Sequence, residues 1–123
     1  MITENVVQAL ETVPELKDKV FPGGVCIDDI TPPMAVYVAQ KSQPFRVLNG
    51  KIHHYTETVG VDFLAKTYDE CHALYAAAEE AAYSLSQVPG IWGVEVSAEE
   101  PDAAMIDLDL VRRSMRITFE RRP

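Results

Sequence analysis

The residues that could do chemistry here are few, and their spacing argues against most of it. Cys26 and Cys71 are the two cysteines; His53, His54 and His72 are the three histidines. A thiol nucleophile needs a base beside it to take its proton. Cys71 and His72 are neighbours in sequence, but one step along a helix points them to different faces. Cys71 also falls on an apolar helical stripe, where cysteine acts as a small hydrophobe. Cys26 would be reactive only if the fold placed a histidine next to it. Zinc needs three or four convergent ligands, and no ligand spacing links Cys26, His53, His54, Cys71 and His72. His53 and His54 are adjacent on an expected strand, where alternation sends them to opposite faces, so they are not expected to chelate one metal together. Ser84, Ser86 and Ser97 lack the glycine pattern of a nucleophile elbow. The glycines of Val88-Pro89-Gly90-Ile91-Trp92-Gly93 are not followed by a phosphate-loop lysine. The sequence thus offers no catalytic, cofactor-binding or metal-binding set, and no enzyme activity is expected.

The elements that would position any site are more legible. Val59, Val61, Phe63 and Ala65 alternate with Thr58, Gly60, Asp62 and Leu64, a strand period. At Thr67 the period changes: Tyr68, Cys71, Tyr75, Ala78, Ala82 and Leu85 recur at three and four, one face of a helix over about 68–87. Thr67 with Glu70 three residues later predicts a capping box. Upstream, Thr3 is the expected cap of a first helix to about Glu11, with Val6, Val7 and Leu10 buried and Pro14 limiting it. Val20-Phe21 reads as a short extended piece, and a brief apolar run follows at 25–30. Residues 34–40 read as a strand apolar on both faces, hence central. Asn49-Gly50 predicts a type I′ hairpin turn between 45–48 and 51–54, with a polar, projecting tip. Ile91, Trp92, Val94 and Val96 mark another strand. The last strand region, 105–119, slips phase, and a bulge near Arg112-Arg113 would reconcile its halves. The expected fold is a single α+β domain over 1–123: a mostly antiparallel sheet of about four strands, two main helices on one face and a projecting β-hairpin.

Composition sets outer bounds. The chain has 123 residues, 47% of them apolar, enough for one core and too few for two ordinary domains. A net charge of −8 argues against general nucleic-acid binding, which needs a basic footprint. No apolar run has the length of a membrane span. The first residues, Met1-Ile2-Thr3-Glu4-Asn5, have no basic segment followed by a hydrophobic core, so no signal peptide is expected. In a reducing cytoplasm the two cysteines are expected as free thiols.

Several stretches, in order, resemble the phage tail completion proteins, a family that includes tail terminators and tail-to-head joining proteins. Val20-Phe21-Pro22 is similar to the family's Val-aromatic-Pro segment after its first helix. Pro33-Met34-Ala35-Val36-Tyr37 resembles its proline followed by an apolar strand ending in tyrosine. The run from Val59-Gly60-Val61-Asp62-Phe63 through Leu64-Ala65-Lys66-Thr67 to Tyr68-Asp69-Glu70 is similar to its strand-to-helix junction. Ser114-Met115-Arg116-Ile117-Thr118-Phe119, after an acidic apolar strand, fits its terminal pattern. The likeness covers about Val6 to Phe119 and rests on order and spacing rather than on any one motif. The chain departs from the pattern at Tyr55-Thr56-Glu57-Thr58, where the family carries arginine or glutamine, and in its heavy acidic tract at 95–109. The subtype, terminator or head-proximal joiner, stays open.

The resemblance implies a ring, usually hexameric, on the last tail-tube ring at the head-proximal end of the tail. Such a ring ends tube polymerisation and presents a surface to the head. Its partners would be copies of itself, the tail-tube protein and a head-completion or connector protein. Its place would be the virion, after assembly in the host cytoplasm, with no cofactor, no membrane and no specific nucleic acid. A heterologous contact repeated with closing rotation makes such a ring. Charge separation would suit it: Glu95, Glu99, Glu100, Asp102, Asp107 and Asp109 are acidic, while Arg112, Arg113, Arg116, Arg121 and Arg122 are basic. The expected interface residues are Arg46, Asn49, Gly50 and Lys51 at the hairpin, Trp92 as an aromatic anchor, and Arg112, Arg113 and Arg116. Two other readings remain: a small cytoplasmic α+β module, ligand-binding or dimeric, and an enzyme using Cys26 or a histidine.

Overall fold

The computed structural model describes residues 2–23, 32–99 and 111–123. The protein is α+β. Helix α1 (Ile2–Glu11) leads through a 3-10 turn (Pro14–Leu16) into β1 (Val20–Pro22). Strands β2 (Met34–Arg46) and β3 (Ile52–Ala65) form a long hairpin. Helix α2 (Tyr68–Tyr83) and a 3-10 turn (Ser84–Gln87) precede β4 (Ile91–Glu99) and β5 (Val111–Arg121). The sheet order is β1-β2-β3-β5-β4.

Alternation decides which side chains meet the helices. Val59, Val61 and Phe63 of β3 and Met115, Ile117 and Phe119 of β5 are buried on one face. They pack with Val6, Ala9 and Leu10 of α1 and with Cys71, Leu74, Tyr75, Ala78 and Ala82 of α2. One core thus lies between the sheet and both helices, and the small side chains of α2 let it approach closely. Thr67 caps α2: its hydroxyl accepts from the Glu70 amide at 3.1 Å.

The structure departs from the sequence expectations in several places. Among the described residues the sheet has five strands, and it is mixed, because β1 pairs parallel to β2 (Val20↔Ala35 to Pro22↔Tyr37). A three-residue strand is too short to show a period, so sequence gave it no partner. The central strand is β3, with β2 next to the edge. The second apolar face of β2 has another cause: Met34 pairs with Leu64 on the side away from the helices, and both are buried there. Helix α1 begins at Ile2, which places Thr3 inside the first turn rather than at the cap. The α-helical part of α2 ends at Tyr83, and Ser84–Gln87 tightens to a 3-10 turn. Cys26, the 25–30 run, the turn at 99–102 beyond Glu99's backbone and the even-phase half of the last strand region (105–110) lie outside the described residues or side chains.

Candidate functional site

The hairpin outruns the sheet. The β3–β5 ladder stops at Tyr55↔Arg121, whereas the β2–β3 ladder continues to Arg46↔Ile52. Beyond Tyr55 the chain is therefore a two-stranded arm, and every residue from Val38 to Lys51 is exposed. An isolated two-stranded hairpin is marginal in water, so its root must be held.

Glu57 holds it. This carboxylate lies in phase with Val59 and Val61 and is buried, 8% exposed. Its Oε1 accepts from Ser42 Oγ of β2 at 2.9 Å and from Arg121 Nε of β5 at 2.7 Å. The Arg121 guanidinium also sits 4.3 Å over the Tyr55 ring. Burying a carboxylate is unfavourable unless it is paired and hydrogen-bonded; here one carboxylate joins three strands where the arm leaves the sheet. The sequence contained the signal, a charge in phase with an apolar strand face, but residues 55–58 were weighed only as a departure from the family pattern.

The tip differs from the expected turn. A type I′ turn needs positive φ at both Asn49 and Gly50, but of the two only Gly50 has it, at +81°. The Gly50 amide donates to the Val47 carbonyl at 2.9 Å and Val47 N–H to Lys51 O at 3.0 Å. This matches the three-residue loop in which a turn is followed by a left-handed glycine. Asn49 acts through its side chain, Oδ1 accepting from the Lys51 amide at 3.0 Å, and Arg46 Nη1 donates to the Gly50 carbonyl at 2.9 Å. Nor is the tip simply polar: Phe45, Val47 and Leu48 are all exposed, Leu48 completely.

Between root and tip the register slips. Phe45 pairs with His54 and Arg46 with Ile52, leaving His53 as the extra residue of a bulge. The bulge breaks the alternation expected to separate the histidines, and their Nδ1 atoms lie 2.8 Å apart. Phe45 stacks on His54 (4.9 Å between centroids, 10° between planes), and Trp92 meets the other side of the cluster at 5.9 Å from His54.

The expected interface residues fall in separate places. Arg46, Asn49, Gly50 and Lys51 share the tip, and Trp92 lies near the root. Arg112, Arg113 and Arg116 do not make one patch. Arg112 pairs with Asp62 at 3.1 Å on the face away from the helices, where Ser114 also donates to Asp62 at 2.6 Å. Arg113, one residue on, points to the helical side, donating to His72 Nδ1 at 2.8 Å with its guanidinium 4.2 Å over Tyr75. Arg116 is exposed on the same face as Arg112. Of the acidic tract only Glu95 has a described side chain.

Cys71 is a free, buried thiol whose Sγ donates to the Phe63 carbonyl at 3.6 Å. Burial pushes its pKa up, with Arg113 opposing and Glu70 adding, so it is a poor thiolate source. Among the described residues no group of three or more His, Cys, Asp and Glu converges on a metal position. No helix there is long and apolar enough to cross a membrane. A cleft lined by Glu15, Pro33, Glu70, Ala73, Leu74 and Ala77 encloses about 130 Å³. No family model matches the chain, and no curated protein matches it.

Proposed function

We propose that this protein is a structural assembly subunit that acts by binding copies of itself, and that it forms a ring, usually hexameric in the resembled family, at the head-proximal end of a phage tail. The observation that carries the assembly reading is the arm. It sets Phe45, Val47 and Leu48 in water at the end of a braced projection, an exposed apolar surface of the kind that marks protein contacts. If the arm docks on a different surface of the next copy without being reciprocated, the contact is heterologous, and repeated with closing rotation it gives a ring. The resemblance of the ordered segments to phage tail completion proteins supplies the place: a ring that ends the tail tube and meets the head. The acidic composition and the absence of a sequence-legible catalytic set agree with a binding role.

The rival reading, a small ligand-binding module, needs a pocket. Ligand pockets run to about 300–1,000 Å³ and enclose most of the ligand. Among the described residues the Glu15–Leu74 cleft holds only about 130 Å³, and the larger hollows, about 640 Å³ at the arm tip and about 670 Å³ between Val13 and Tyr83, are shallow and open to solvent. Sedimentation over a concentration series, with negative-stain images of the largest species, tests the proposal. A closed ring supports it; a monomer or a two-fold dimer as the largest species overturns it.

A further inference from the structure

The geometry points to a metal site that the sequence excludes: His53 and His54 form a bis-imidazole chelate for a divalent late transition-metal ion of the nickel or copper type. Two neutral imidazole nitrogens bind one ion when their lone pairs converge. At a metal–nitrogen distance of about 2.1 Å, ligands at a right angle lie about 3.0 Å apart and ligands at the tetrahedral angle about 3.4 Å apart. The Nδ1···Nδ1 separation is 2.8 Å, a hydrogen bond between the rings; replacing it by an ion needs the nitrogens to open by about 0.2 Å for a right-angle site and about 0.6 Å for a tetrahedral one. The smaller opening suits ions that take square-planar or octahedral nitrogen sites, Ni(II) and Cu(II).

Three features make the pair a site rather than a chance approach. The bulge at His53 places two consecutive side chains on one side of the arm. Phe45 stacked on His54 and Trp92 at its edge restrain that ring. His53 is exposed, so the remaining coordination positions are open to water or an exchangeable ligand. A metal ion would take the place of the Nδ1···Nδ1 hydrogen bond, whose donor depends on the tautomer, and each ring bound through Nδ1 carries its proton on Nε2. The site does not depend on the ring reading. It would brace the arm where its register slips, and binding to the native state alone raises thermal stability.

Titration calorimetry with Ni(II), which spares the thiols from copper's redox chemistry, tests this directly. One ion per chain is expected in the wild type, with affinity falling about tenfold or more in both His53→Ala and His54→Ala. His72→Ala, which removes the third histidine at Arg113, should bind as the wild type does. Melting under saturating Ni(II) should rise in the wild type and not in His53→Ala, whose exposed position leaves folding intact. Absence of saturable binding, or equal affinity in the wild type and His53→Ala, overturns the site.

Discussion

Glu57 Oε1 and Arg121 Nε lie 2.7 Å apart across 64 residues of sequence, and this bond closes the root of the arm. Ser42 adds a third strand to the same oxygen. The bridge ties Glu57 to Arg121 of the last rung of the β3–β5 ladder, Tyr55↔Arg121, where the sheet narrows to two strands, so it braces the base of the arm that carries the apolar tip.

Glu57→Ala should destabilise the protein by about 2 kcal/mol, the scale of a hydrogen bond to a charged group with its partner left unpaired. Urea unfolding measures this. Amide exchange should accelerate most in the arm, with the α2 amides of the main core protected. Equal acceleration everywhere would mean that Glu57 serves the core and not the arm.

Cys71 and Tyr75 both have raised native pKa values, in each case mainly through burial. Their protonated forms therefore favour the native state. That contribution is complete below the ordinary values of 9.0 and 10.0 and is lost as pH rises through the higher native values. Stability should fall above about pH 9, and Tyr75→Phe should flatten the later part of the fall. Thiol modification of Cys71 in native protein should be slow at pH 8 and become fast on unfolding, followed by mass spectrometry at that residue.

Thr67→Ala should cost about 1 kcal/mol by removing the acceptor for the Glu70 amide, while Thr67→Ser should retain most of it. Thermal melts of the pair separate loss of the cap from a change in side-chain bulk.

This cap was readable because its signal is local: one residue, one switch of period. The same holds for β3 and for the apolar face of α2, whose alternation and helical spacing are carried by Val59, Val61 and Phe63 and by Cys71, Tyr75 and Ala78. The parallel β1 was not readable as a sheet member, since three residues carry no pattern and its partner is distant. The arm's existence was visible in Asn49-Gly50, but its chemistry was not. A bulge at His53 is a property of pairing between strands, and it reverses the alternation rule that kept the histidines apart. Arg112 and Arg113 show the opposite failure. They read as one basic patch in sequence, yet strand alternation sends one to Asp62 and the other to His72 and Tyr75.

Gly50→Ala should strain only the turn. Its φ of +81° is unfavourable for a side chain, but nothing lies within 4 Å of the added Cβ. The cost should be about 1–2 kcal/mol, confined to amide protection in 45–54, and Gly50→Asn should recover part of it.

The most direct test of arm-driven assembly is light scattering coupled to size exclusion on the wild type and on Leu48→Asp, over the same concentration series. Leu48 is fully exposed in the monomer, so the charge leaves the fold intact and acts only on what the tip meets. The expected result is a closed oligomer in the wild type and a monomer in Leu48→Asp. The same mass for both proteins at every concentration would contradict the account.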